Sequence, residues 1–184
     1  MRILGVDPGT WKTGVGIIET EGRGSRYHLV HTEVLTIREK GPVSQRLRQI
    51  YQGLQERIRE YRPEVLALEN VFYHKDITAV VKIGEARACA MLAAAEQNME
   101  VVEYSPARIK QAVSGNGRAT KPQIQHMIKT LLNLKTLPAP DSADALAVAI
   151  CHGHCRKGEN PNIEVRNPKR IRILQTANSK RFSF

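Results

Sequence analysis

Four carboxylate side chains stand at the ends of apolar segments in this 184-residue sequence. Asp7 and Glu69 each close a short apolar run typical of a buried strand, whereas Asp141 and Asp144 open a predicted helix. Carboxylates without neighbouring His or Cys ligands are the donors that Mg²⁺ and Mn²⁺ prefer. The four acids therefore favour a site for a hard divalent cation.

The acid pair at the helix start also has a purely structural interpretation. Asp141 is a good N-cap, and an acid three residues later would complete a capping arrangement that the helix dipole favours. Residues 145–150 are uniformly apolar, however, which predicts a helix buried against the sheet with Asp144 pointing inward. An inward acid without an Arg nearby in the sequence needs a metal, and this shifts the balance from capping towards metal binding.

The elements that must position these acids follow from hydrophobic periodicity. We predict strands over residues 2–7, 14–19, 27–37, 65–69 and 101–104, and helices over residues 43–61, 76–97, 107–113, 121–132 and 141–152. The first strand should connect to the fourth through a right-handed, parallel crossover, while its hairpin partner is antiparallel. This order predicts an α/β fold with a mixed five-stranded sheet flanked by helices. Asp7 and Glu69 then meet at the edge where open α/β sheets bind ligands, and they would repel unless a cation lay between them.

Composition points to a polyanionic partner. Lys and Arg total 28 against 18 Asp and Glu, which gives a net charge of +10 and a pI near 9.8. Such a balance is typical of proteins that bind nucleic acid or an anionic membrane. We expect no membrane protein, because no apolar run approaches the ~20 residues that span a bilayer. A charge as early as Asp7 argues against a signal peptide, and three Cys without framework spacing fit a cytoplasmic protein.

The basic residues are concentrated near the C-terminus. Residues 156–184 contain eight Lys or Arg and only two Glu, and they lack convincing periodicity. We therefore divide the chain into a folded domain over residues 1–155 and a basic tail over residues 156–184. A nucleic-acid-binding arm and a solubilising end are both open interpretations of this tail.

Four motifs stand in order along residues 1–155: Asp7-Pro-Gly-Thr with Gly14, Glu69-Asn-Val-Phe72, Lys121-Pro-Gln-Ile-Gln-His-Met127 and Asp141-Ser-Ala-Asp-Ala-Leu-Ala147. Together they resemble the RuvC family of Holliday-junction resolvases. The resemblance implies a ribonuclease-H-like fold and a crossover junction endodeoxyribonuclease that acts in recombination and repair. It also implies that Asp7, Glu69, Asp141 and Asp144 are the catalytic, metal-binding acids, although some relatives have His in place of Asp141.

The resemblance further implies cofactors and partners. Two Mg²⁺ ions per active site are expected, with Mn²⁺ able to substitute. The expected partners are a four-way DNA junction, a second copy of the chain in a homodimer, and the RuvA–RuvB branch-migration complex. A homodimer would cut two opposed strands symmetrically, and the Ala-rich helix 76–97 is the surface we expect it to use.

Five side chains are candidate DNA contacts: Phe72, Tyr73, Lys110, Arg118 and Lys121. The resemblance implies that Phe72 stacks on bases at the opened junction, a physically reasonable role for an aromatic residue. Lys110 and Lys121 bracket the loop 115–118 and suit phosphate contacts beside the metals. For Arg118, as for Arg108, an ordinary solvated charge is an equal alternative.

Two further motifs have weaker interpretations. Cys151-His-Gly-His-Cys155 contains four possible zinc ligands, but their cramped spacing at a helix end fits ordinary zinc sites poorly. The first hairpin also resembles the phosphate-binding hairpin of actin-like ATPases, which need a second domain that 184 residues cannot supply. A non-enzymatic DNA-binding module would explain the charge but would leave four acids next to DNA at an electrostatic cost. Trp11 receives no role from the sequence.

Overall fold

The computed structural model describes residues 1–21, 26–38, 41–70 and 77–155. The elements are β1 (Arg2–Asp7), β2 (Lys12–Glu21), β3 (Arg26–Thr36), α1 (Val43–Tyr61), β4 (Val65–Glu69), α2 (Ile77–Ala95), β5 (Glu100–Tyr104), α3 (Pro106–Ser114), α4 (Lys121–Leu131) and α5 (Pro140–Cys155). The predicted order of elements is confirmed. Phe72, Tyr73 and the basic tail 156–184 lie outside the described residues.

The five strands form one mixed sheet in the order β3-β2-β1-β4-β5. β1 pairs antiparallel with β2 and parallel with β4, as predicted from the hairpin and the crossover through α1. β3 extends the antiparallel side, and β5 extends the parallel side. The central position of β1 buries it on both edges, and this explains why its sequence is an almost continuous apolar run.

Helices cover both faces of the sheet, because successive strand side chains point to opposite faces. Leu4 and Val6 of β1 belong to a core formed with α1 and α2, which contribute residues such as Ile50 and Ala90. Ile3 belongs to a second core, formed with α3, α4 and α5. The amphipathic spacing of α1 is thus explained by one buried face of Ile50, Leu54 and Ile58.

Several element ends differ from the prediction. β2 begins at Lys12 rather than at residue 14, because its pairing with β3 extends to Lys12, which faces Thr36. α5 begins at Pro140, so Asp141 lies inside the first turn and does not precede the helix as its N-cap. A proline suits the first helical position, where its missing N–H is not needed. α2 ends at Ala95, two residues before the predicted end.

Candidate active site

The first two candidate acids occupy the same edge of the sheet. Asp7 is the last residue of β1 and Glu69 the last residue of β4. The strands are parallel neighbours in which Val6 is aligned with Leu68, so the next residue on each strand is one of the acids. Parallel pairing therefore places both carboxylates at one end of the sheet.

Helix α5 brings the other two acids to this edge through direct contact with the sheet backbone. A Cβ on Gly14 would overlap the carbonyl oxygen of Asp141, and a Cβ on Gly5 would overlap that of Ala145. Only glycine permits such close helix–strand packing. Because Gly14 pairs with Asp7 across β1 and β2, the contact sets the first turn of α5 beside Asp7.

The causes of the raised pKa of Asp7 place the other three acids within electrostatic range of it. Burial, followed by the negative charges of Asp144, Asp141 and Glu69, raises the pKa of the Asp7 carboxyl to about 7, although the nearby Lys121 lowers it. Burial, followed by the charge of Asp144, likewise raises the pKa of Glu69. Without a compensating cation, the site thus penalises the ionised state of both strand acids.

Lys121 supplies one positive charge to this cluster. Its Nζ donates a hydrogen bond to Oδ2 of Asp144 at 3.0 Å, and this ion pair raises the pKa of Lys121. The lysine is the first residue of α4, where Thr120 and Gln123 form a capping box that defines the helix start. The sequence has no Arg near Asp144 along the chain, which predicted a metal partner; the structure shows that a lysine 23 residues away also pairs with this acid.

The donor set suits a hard divalent cation, although the carboxylates do not form a closed ligand cage. Within the described ranges, no three His, Cys, Asp or Glu side chains are arranged to hold a metal ion. After burial, the main causes of the raised pKa of Asp7 are the charges of Asp144, Asp141 and Glu69, so positive charge would relieve their repulsion. Carboxylate oxygens from three separate elements match the preferences of Mg²⁺ and Mn²⁺. Asp7, Glu69, Asp141 and Asp144 could therefore hold such an ion.

The candidate DNA contacts fall into three groups. Lys110 of α3 lies near enough to Glu69 to lower the pKa of that carboxyl, so it belongs to the surroundings of the site, as does Lys121. Arg118 is exposed in the loop between α3 and α4, where its backbone N–H donates to Oδ1 of Asn116 at 3.0 Å. Phe72 and Tyr73 fall outside the described residues, so their predicted roles stay predictions.

Arg87 is a site residue that sequence analysis missed. This α2 side chain donates a hydrogen bond from Nη1 to the backbone carbonyl of Glu69 at 2.6 Å and forms an ion pair with Glu103 of β5. It therefore connects α2, β4 and β5 at the end of β4, where Glu69 lies. A single arginine in an otherwise Ala-rich buried helix was the available sequence signal.

The Cys151–Cys155 motif, which fits ordinary zinc sites poorly, makes other contacts in the structure. His152 Nδ1 shares a 2.7 Å hydrogen bond with the Tyr104 hydroxyl, and Arg108 donates one to Sγ of Cys155 at 3.4 Å. These contacts within the chain lie at the C-terminal end of α5, and no group of three possible ligands is arranged for a metal among the described residues.

No described helix is both long and apolar enough to cross a membrane.

Comparisons with known proteins match the chain to a single family. A model of the family described as crossover junction endodeoxyribonuclease RuvC matches residues 3–152. The chain is 47% identical over 155 residues to the RuvC crossover junction endodeoxyribonuclease of Halorhodospira halophila, covering 84% of this chain and 91% of that relative. It is 52% identical over 153 residues to a counterpart from Dehalococcoides mccartyi, covering 83% and 90% of the two chains.

A solved structure extends the likeness to three dimensions. Thermus thermophilus RuvC in complex with a Holliday junction substrate is 32% identical and superposes with a TM-score of 0.80, covering 85% of this chain and 95% of that one. The alternatives of an actin-like ATPase and of a non-enzymatic DNA-binding module are therefore wrong. With its ribonuclease-H-like fold and its edge of acidic side chains, the chain belongs to the RuvC family, the metal-dependent endonucleases that resolve Holliday junctions in DNA recombination and repair.

Proposed function

We propose that Asp7, Glu69, Asp141 and Asp144 hold two Mg²⁺ ions and that the protein uses them to nick opposed strands of a four-way junction. The observation that carries this assignment is the raised pKa of Asp7, which burial and three neighbouring acids together push to about 7. Acids placed together at such a cost in folding free energy are typical of a functional site that uses their charge. Mn²⁺ should substitute for Mg²⁺, because both prefer oxygen ligands.

Different residues of the chain would serve DNA binding and hydrolysis. Divalent ions bound at the carboxylates would activate water and stabilise the leaving oxygen of the phosphodiester. Lys121, whose Nζ lies 3.0 Å from Asp144, has N–H donors that can bind a DNA phosphate oxygen next to these acids. Lys110 faces the same region, and we assign it and Arg118 to phosphate contacts, with Phe72 and Tyr73 as base contacts. Arg87 positions Glu69 through its backbone carbonyl.

Paired nicking requires two equivalent sites, and α2 offers the surface for an isologous homodimer. Three large apolar side chains of this helix are exposed: Ile77 by 78%, Val81 by 54% and Leu92 by 60%. Together with the exposed Gly84, Ala88 and Ala95 they recur every three or four residues, so they form one continuous stripe, here called the α2 stripe. The opposite side of α2, including Ala86, Ala90, Ala93 and Ala94, packs on its own sheet.

Nicking of a labelled four-way junction, compared with a linear duplex of the same arm sequence, tests this function. We expect paired incisions in the junction with Mg²⁺ or Mn²⁺ and none in EDTA. Glu69→Gln should abolish nicking but leave junction binding intact. The control is Glu100→Gln, the same change at an exposed position at the start of β5, and it should cut like the parent. Near-normal nicking by Glu69→Gln would contradict the metal assignment.

The remaining partner assignments are proposals from family membership. We assign the protein to the cytoplasm, where it would act on junctions processed by RuvA–RuvB. If so, adding the RuvA–RuvB complex to the nicking assay should change the positions or the rate of incision. Identical cleavage with and without that complex would contradict this partnership.

A further inference from the structure

Trp11 is an exposed aromatic side chain four residues after Asp7 in the chain. It ends the loop of residues 8–11 that follows Asp7, and 50% of its surface is exposed. The guanidinium carbon of Arg46 lies over the ring, 4.1 Å from its centroid. Arg46 belongs to α1 and is itself only 8% exposed, so a buried cation supports the ring from the protein side. A contact of this kind restrains the ring in one orientation.

The backbone that carries Trp11 is restrained as well. The Thr13 hydroxyl donates to the carbonyl of Gly9 at 2.8 Å, and the Ile37 N–H donates to the carbonyl of Trp11 at 3.0 Å. A Cβ on Gly9 would overlap the carbonyl oxygen of Lys12, so this turn is tight. The ring is therefore positioned before any ligand arrives, and a ligand that stacks on it loses little binding free energy to side-chain ordering.

We propose that Trp11 is a stacking site for a nucleobase at the branch point of the junction. This inference rests on the proposed function, which brings DNA to the acids that begin four residues before Trp11. Bases stack readily on aromatic rings, and the contact tolerates any sequence because every base has a π-face. Bases inside a duplex arm are already stacked on their neighbours, so a base at the branch point is the one that is free to leave the stack.

The chain provides a direct probe, because Trp11 is its single tryptophan. Unlabelled junction is titrated into the protein in EDTA, where no strand is cut, and tryptophan emission is recorded. A parallel titration follows binding by the anisotropy of a fluorescein-labelled junction. Stacking should quench the emission with the same midpoint as the anisotropy change. A linear duplex of the arm sequence should leave the emission of bound protein nearly unchanged.

The outcomes separate this inference from the proposed function. Junction binding by anisotropy with unchanged emission would overturn the role of Trp11 and leave the resolvase function intact. Equal quenching by bound duplex would overturn the branch-point assignment. Failure of the junction to bind at all would overturn the proposed function and this inference with it.

Two substitutions test whether the aromatic ring itself binds. Trp11→Leu keeps an apolar cover over Arg46 but removes the π-face, and it should raise the junction Kd about fivefold or more. Trp11→Phe keeps a stacking surface and should restore most of the affinity. Thermal melts of both variants check that they fold. A Trp11→Leu variant that melts like the parent and binds the junction with unchanged Kd would overturn the proposal.

Discussion

The Asp7 carboxyl combines partial burial with three like charges, and together they raise its pKa from 3.8 to about 7. Between these two values the folded chain keeps a proton on Asp7 that the unfolded chain has already lost. The folded state then binds more protons, so the free energy of unfolding falls as pH rises through this interval. A divalent cation competes with that proton, and metal affinity should accordingly increase up to about pH 7.

Asp7→Asn should therefore stabilise the metal-free protein. Asn cannot ionise, so the gain in unfolding free energy over the parent should be near zero at about pH 4 and grow to about 2–4 kcal/mol above pH 7. Urea unfolding in EDTA across this range measures it, with Glu100→Gln as an exposed control. A gain that does not change with pH would show that Asp7 titrates normally.

Cys155 should be the reactive thiol among the described cysteines. A hydrogen bond with Cys151 and the guanidinium of Arg108 hold the pKa of Cys155 below its ordinary value, although burial opposes them. Burial raises the pKa of Cys89, so it has little thiolate at neutral pH. Iodoacetamide at pH 7, followed by mass spectrometry, should label Cys155 well before Cys89, and Arg108→Gln should slow that labelling. Equal rates for the two cysteines would contradict this prediction.

At the scale of elements, the site depends on how closely α5 approaches the sheet. The helix places its backbone against Gly5, Gly14 and Gly16, which lie on adjacent strands. Its residues from Ala145 to Cys151 are buried almost completely, so the helix cannot slide or tilt without opening the core. The positions of Asp141 and Asp144 are therefore determined by packing of the whole helix.

A methyl group at Gly14 should disturb the site through this contact. In Gly14→Ala the Cβ overlaps the Asp141 carbonyl, so α5 must shift; we expect a loss of about 1–3 kcal/mol in unfolding free energy. Nicking should fall by about 100-fold, the effect of a displacement near 1 Å. Gly84→Ala is the matched control for the unfolding measurement, because nothing lies within 4 Å of its added Cβ. It should gain about 0.5–1 kcal/mol from helix propensity. Normal nicking by Gly14→Ala would show that the acids tolerate such a shift.

At the scale of the whole molecule, a net charge of +10 attracts DNA, while the α2 stripe leaves an apolar surface without a partner in the described chain. A junction with two-fold symmetry and a dimer with two-fold symmetry have matching geometry. Because both incisions would depend on the dimer, weakening it should separate single nicks from paired ones.

Ala88→Glu tests this dependence. Placing a charge in the centre of the α2 stripe should shift the protein from dimer to monomer in sedimentation velocity and convert paired incisions to single nicks. Lys82→Glu introduces the same side chain at an exposed position of α2 away from the stripe, and it should leave the dimer unchanged. Paired cleavage by a monomeric Ala88→Glu would contradict the proposed interface.

The sequence alone determined the elements and the acids that meet at one edge of the sheet. Hydrophobic periodicity depends on local backbone geometry, so it predicted α1 and β4 to the residue. The parallel crossover then required Asp7 and Glu69 to share an edge. Family motifs added the likeness to RuvC nucleases, which the comparisons confirmed.

Only the tertiary structure decided which groups compensate those acids. Lys121 and Asp144 are 23 residues apart, and Arg87 reaches the backbone of Glu69 from another helix. Such contacts depend on the distance between packed backbones, which periodicity along one segment does not encode. The contact of Gly14 in β2 with α5 is a further example, because the requirement for glycine becomes apparent only when the position of the helix is known.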